Sequence, residues 1–199
     1  PHVVMGHSMG GHLVLRALIE DRIAPDAVIL SAPMLGFESG PLPQWVAARV
    51  VALLGRIIGT RLAWSENERP ADKRASRAAF LTHDVDRYAD EQYWLAHEPS
   101  LALGPPSWGW VAAAYRSNAI IAARGAVERV RVPVLTVATL GDRLVSPAAI
   151  DRTIGRLPNG ELMMFDASVA HEVLREADAV RDAILERISG FLGRYTPPR

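Results

Sequence analysis

Residues 6–10 read Gly6-His7-Ser8-Met9-Gly10, a serine flanked by glycines two positions to either side. A serine hydroxyl is a poor nucleophile at neutral pH unless a base takes its proton and a carboxylate orients that base. Both partners are available further along, Asp142 in Gly141-Asp142-Arg143 and His171 in Ala170-His171-Glu172. Serine, then acid, then histidine is the chain order used where the nucleophile sits between a strand and a helix. The chemistry these three residues could perform is acyl transfer.

Such chemistry needs elements that bring the three together. Val3–Met5 is a short apolar run that predicts a buried parallel strand. From Met9 to Glu20 the residues Leu13, Val14, Ala17 and Leu18 recur at helical spacing. Ser8 is therefore expected on a tight strand-to-helix turn where bulky neighbours clash, a demand that Gly6 and Gly10 answer. The Met9 amide, at the positive end of that helix, can face a developing oxyanion. A plain glycine-rich turn is the alternative; the strand before, the helix after and the extra Gly11 favour the nucleophile.

Ala27–Leu30, Val132–Ala138 and Leu162–Phe165 read as three further strands. Asp142 and His171 fall just past the third and fourth of these, in the loops where α/β sheets place their sites. Asp166 competes with Asp142 but reads better as a loop cap. Among the other histidines, His2 and His7 border the serine, with His7 expected to pack or line the site. His12 lies on the first helix, and His83 and His97 lie in a helical stretch; only His171 follows the last strand.

Helices are expected at about 44–58, 72–80, 84–97 and 108–123. A further helix starts behind Ser146-Pro147, an N-cap followed by proline, and runs to about Arg156. The last starts near Asp178, with Val180, Ile184, Leu185, Ile188, Phe191 and Leu192 as its apolar face. Strands alternating with helices give an α/β fold with a parallel sheet. The organisation expected is a core of residues 1–33 and 108–199, interrupted by a helical insertion at 34–107.

Composition excludes several classes. The 22 basic and 22 acidic residues balance, which leaves no electrostatic footprint for nucleic acid. Cysteine is absent, so neither a disulfide nor a thiolate metal site can form. The longest apolar stretch, Trp45–Ile58, is interrupted by Arg49, Gly55 and Arg56 and reads as a buried or amphipathic helix.

"GHSMGG" at 6–11, Gly141-Asp142-Arg143 after a strand, and "AHEVLREAD" at 170–178 resemble the monoacylglycerol lipase and bacterial lysophospholipase branch of the α/β-hydrolases. "LTHDVDRYADEQYWLAHEPSLALGPPSWGWVAAAYRS" at 81–117 resembles the cap and following helix of the bacterial lysophospholipase subgroup, and is the more discriminating part. The resemblance covers nearly the whole chain. It implies Ser8 as nucleophile, Asp142 as acid, His171 as base and Met9 as an oxyanion-hole amide. It also implies that the insertion is a lid over an acyl pocket, for which His7, Trp45, Leu53 and Leu54 are candidate substrate-binding residues beside Val46, Val50 and Ile58. Ordinary packing within the lid is the competing role for most of these. Glu172 and Glu176 are expected to be surface or helix-start charges.

The implied reaction is hydrolysis of a lipid or other small ester, a lysophospholipid or monoacylglycerol, with no metal or organic cofactor and no nucleic acid partner. Transient contact of the cap with a membrane surface, and a cytoplasmic or inner-membrane-peripheral location, go with that expectation. Aminopeptidase-type hydrolysis on the same fold, and a non-catalytic binding module, are the alternatives. The family has strands before the nucleophile strand, including a loop that completes the oxyanion hole. This sequence is accordingly expected to be an N-terminally truncated fragment, with Val3–Met5 as an unpaired apolar edge.

Overall fold

Four parallel strands in the order β1-β2-β3-β4 form the sheet of the computed structural model, which describes residues 1–37, 43–63, 80–102 and 104–197. They are β1 (Val3–His7), β2 (Ala27–Ser31), β3 (Val134–Thr139) and β4 (Gly160–Phe165). Each strand lies beside its predecessor, in registers such as Met5 with Ile29, Ile29 with Leu135 and Leu135 with Glu161. The helices are α1 (Met9–Ile19), α2 (Gln44–Ile57), α3 (Val85–His97), α4 (Trp108–Ala122), α5 (Pro147–Ile154) and α6 (Asp178–Tyr195). The α/β reading of the sequence holds, with strand ends moved by one or two residues. One such shift matters: β1 runs on to His7, so the chain turns only at Ser8.

Every residue of β2 and β3 is buried, as central strands covered on both faces require. Alternate side chains divide between two cores. Val28, Leu30, Val134 and Ala138 pack with Leu15, Ile19, Ile121 and Ile150 from α1, α4 and α5. Ala27, Ile29, Leu135 and Val137 pack with Ile184 and Phe191 from α6. The period of two thus fills both faces of the sheet. β1 and β4 are the edge strands among the described residues and are only partly buried.

Between β2 and β3 the described residues form helices and isolated bridges but no strand. There α2 lies against α4 closely enough that a Cβ on Gly55 would sit 2.6 Å from Ala112 Cβ. No described helix is long and apolar enough to cross a membrane. The helix expected at 72–80 falls almost wholly outside the described residues.

Some expected faces differ. Leu13 on α1 is exposed, and His12 and Leu15 are buried in its place. Leu185 on α6 is exposed, while Ile184 beside it is in the core. Ser146 precedes α5, but its side chain makes no capping bond.

Candidate active site

Ser8 takes φ 50° and ψ −115° between the last residue of β1 and the first of α1. A non-glycine residue there costs roughly 1–3 kcal/mol and persists only where its surroundings over-determine it. Here they do. Ser8 N–H donates to Ser31 O at 2.8 Å, and Ser8 O accepts from Met34 N–H at 3.0 Å and His12 N–H at 3.1 Å. The turn is tight enough that a Cβ on Gly6 would lie 2.7 Å from the Gly10 carbonyl and the Gly11 nitrogen. Gly11 is confined too, by Gly6 O and Pro33 at 3.0 Å, whereas a Cβ on Gly10 would meet nothing within 4 Å. The steric demand is therefore met by Gly6 and Gly11, not by Gly6 and Gly10 as their spacing suggests. Met9 N–H opens α1 and is one of the first-turn amides that a helix cannot pair within itself.

Asp142 and His171 meet. Asp142 Oδ2 stands 2.6 Å from His171 Nδ1, and the residues are 6% and 3% exposed. The second carboxylate oxygen of Asp142 accepts from Leu144 N–H at 2.8 Å and Val145 N–H at 3.0 Å. An ionised carboxylate only accepts, so Nδ1 of the neutral ring carries the proton and Nε2 keeps its lone pair. The two loops are locked together around this contact. Thr139 Oγ1 lies 2.8 Å from both Asp166 O and Val169 O, and it accepts Gly141 N–H at 3.0 Å. A Cβ on Gly141 would lie 2.5 Å from Val169 O and 2.7 Å from Ala167 O, so only glycine lets the loops approach this closely. Asp166, the rival carboxylate, accepts from Ser168 N–H at 2.8 Å and from the Ser168 hydroxyl, and so caps its own turn.

β4 lies three strand spacings from β1, roughly 14 Å. The loop after β4 nevertheless reaches back, placing the His171 ring 4.9 Å from the ring of His7, next to Ser8. His171 and Ser8 themselves form no hydrogen bond. His7 Nδ1 is 3.1 Å from Ser31 Oγ. Surrounding protein, then the nearby His171, lower the His7 pKa to about 4, so its ring is neutral at pH 7. With Ser31, Glu172, Leu174 and Arg175, His7 lines a cavity of about 220 Å³.

The other candidates are dispersed. Trp45 is 64% exposed and lines a cavity of about 390 Å³ whose wall, including Phe37, Tyr115, Asn118 and Arg152, holds none of Ser8, Asp142 and His171. Leu53 is 58% exposed on α2, and Leu54 is half-buried. Buried His12 binds Met34 O at 2.9 Å and Ser117 Oγ at 2.6 Å, and burial lowers its pKa. It braces α1 against α4. Glu176 corrects the expectation of a surface charge: it is 4% exposed, and its carboxylate accepts Ala170 N–H at 2.7 Å. Glu176, Thr139 and Ser31 carry no motif; their only mark in the sequence is closeness to His171, Asp142 and a strand end. Among the described residues no cluster of three or more His, Asp or Glu could hold a metal ion.

Comparison with known proteins bears on this arrangement. The family described as serine aminopeptidase, S33 matches residues 1–178. Lysophospholipase L2 of Escherichia coli K12 is 27% identical over 210 residues, covering 98% of this chain and 58% of the relative. The chain thus spans just under three-fifths of that protein's length. A soluble variant of monoglyceride lipase from Saccharomyces cerevisiae superposes with a TM-score of 0.73 at 16% identity, over 98% of this chain and 62% of that one. Monoacylglycerol lipase from Paleococcus ferrophilus gives 0.68 at 21% identity, over 95% and 68%. At these identities the structural likeness shows the fold, which is that of an α/β-hydrolase.

Proposed function

The chain belongs to the serine aminopeptidase, S33 family, and on that premise we propose that it is a serine hydrolase cleaving carboxylic esters through an acyl-serine intermediate. The observation that carries the proposal is the buried Asp142–His171 pair, 2.6 Å apart, whose histidine stands on the loop that returns to the end of β1 beside the strained Ser8. In this mechanism His171 Nε2 takes the Ser8 proton as the hydroxyl oxygen attacks the ester carbonyl. The Met9 amide stabilises the resulting oxyanion, and Asp142 holds the ring in its productive tautomer and stabilises the imidazolium. Collapse expels the alcohol, which takes its proton from His171. Water then attacks the acyl-serine with the same base, releasing the acid and restoring Ser8.

The substrate proposed is a lysophospholipid or monoacylglycerol. It is supported by the name of the Escherichia coli relative and by the apolar residues on α2 and α3. In the same proposal residues 34–107 are a cap over the site, with exposed Trp45, Leu53, Ile57 and Trp94 suited to transient contact with a lipid surface. A cytoplasmic or inner-membrane-peripheral location goes with it. The test is turnover of acyl esters against aminoacyl amides by the full-length protein. Faster turnover of the amides would favour the aminopeptidase chemistry that the family's description names. Turnover of neither, with no reaction at Ser8 toward a fluorophosphonate, would leave a binding module.

A further inference from the structure

Three consecutive amides around the base are held from outside their own loop or by a carboxylate. Ala170 N–H donates to Glu176 Oε1 at 2.7 Å, His171 N–H to Phe80 O at 3.2 Å, and Glu172 N–H to Leu81 O at 2.7 Å. Glu176 is itself gripped by the segment that supplies those carbonyls. His83 N–H donates to its Oε2 at 3.2 Å, and His83 Nδ1 lies 3.0 Å from its Oε1. Arg87 donates to the Glu176 carbonyl, Thr82 Oγ1 to Arg175 O at 2.7 Å, and Arg175 to Arg87 O at 2.6 Å. A buried carboxylate is costly unless its oxygens are satisfied, and a charged acceptor makes the stronger hydrogen bonds. Glu176 meets both conditions, yet no step of hydrolysis uses it.

We propose that Glu176 is a positioning residue: together with His83 it ties residues 80–87 to the backbone at 170–172 and so fixes where His171 stands. This rests on the reading of His171 as the base. Asp142 sets the ring's tautomer and tilt, and the amide clamp sets the backbone from which the ring projects. Because Phe80–Arg87 belongs to the stretch assigned to the cap, the clamp also links the cap's position to that of the base.

The test uses the full-length protein with a soluble ester, p-nitrophenyl butyrate, and compares Glu176→Ala, Glu176→Gln and His83→Ala. Misplacing a catalytic group by about 1 Å costs on the order of 10²-fold in rate. Glu176→Ala is expected to lower kcat by about that factor, with KM little changed. Glu176→Gln keeps the side chain's size and one acceptor oxygen, and it restores part of the loss. His83→Ala, which leaves the bond to Ala170 intact, falls between wild type and Glu176→Ala. The low-field proton resonance of His171 Nδ1–H on Asp142 shifts or broadens in the same order. Should Glu176→Ala melt below the assay temperature, Glu176→Gln and His83→Ala carry the same comparison. A wild-type kcat and an unmoved low-field resonance in the folded Glu176 variants, with Ser8→Ala inactive, would overturn the positioning role alone. Activity surviving Ser8→Ala would overturn Ser8 as the nucleophile and with it the acyl-serine mechanism, and the resonance would still report on the hold that Glu176 has over His171.

Discussion

The imidazole rings of His7 and His171 lie 4.9 Å apart, tilted by 57°, although the residues belong to opposite edges of the described sheet. His7 ends β1 and precedes the strained serine; His171 follows β4 and holds Asp142, which follows β3. One ring contact thus closes a circuit among three strand ends. That closure depends on loops packed too tightly to admit other residues at a few positions.

Gly141 is one such position. An alanine there would set its Cβ against Val169 O and Ala167 O and push the Asp142 loop away from the His171 loop. Forcing atoms into a packed site typically costs about 1–3 kcal/mol. Gly141→Ala is expected to lower the denaturation midpoint accordingly and to lower kcat disproportionately, because the strained contact is next to Asp142. Urea unfolding and ester hydrolysis on the same preparation check this; wild-type values for both would contradict it.

Gly6 is the second. Its Cβ would collide with the Gly10 carbonyl and the Gly11 nitrogen, both backbone and unable to rotate away. Gly6→Ala is expected to distort the turn at Ser8 and to abolish reaction with a fluorophosphonate, even in molecules that retain native circular dichroism. Labelling at the wild-type rate would show that the turn does not need its present geometry.

Acid should weaken the fold through two histidines. Burial holds the His12 pKa below 6.5, and His7 is lowered to about 4. In the unfolded chain both take a proton near 6.5, so the unfolded state binds more protons as pH falls through that value. Their neutral-ring stability is complete above pH 6.5 and is lost progressively below it, for His7 down to about pH 4. Melting temperatures measured from pH 7.5 to 4.5 are expected to fall, and less steeply in His7→Gln. An NMR titration in which His7 protonates near pH 6.5 would contradict the assignment.

The strands and most helices were legible because their signals are local: short apolar runs ended by glycine, serine or proline, and apolar residues at helical spacing. Asp142 and His171 could be singled out for the same reason, since each follows a strand. What could not be read depended on which neighbour an element meets. Periodicity alone offers α1 more than one inward face. The Met34 carbonyl, which accepts from Nδ1, and the Ser117 hydroxyl, which donates to Nε2 of the neutral ring, let polar His12 point inward, leaving Leu13 outside. Glu176 looks like a solvated charge until residues 80–87, almost a hundred positions earlier in the chain, are packed against it. Trp45 and Leu53 have the character of pocket residues, but α2 turns them outward and rests on α4 through small residues such as Gly55 and Ala112.

In the proposed mechanism Ser8 is a nucleophile activated by the His171–Asp142 pair. Reaction of the full-length protein with a fluorophosphonate, located by mass spectrometry of the labelled peptide, tests it most directly. Wild type should be labelled on Ser8, Ser8→Ala should not be labelled, and Asp142→Asn should react slower by up to about 10⁴-fold, the cost typical of a wrong histidine tautomer. Undiminished labelling in Ser8→Ala, or wild-type rates in Asp142→Asn, would contradict it.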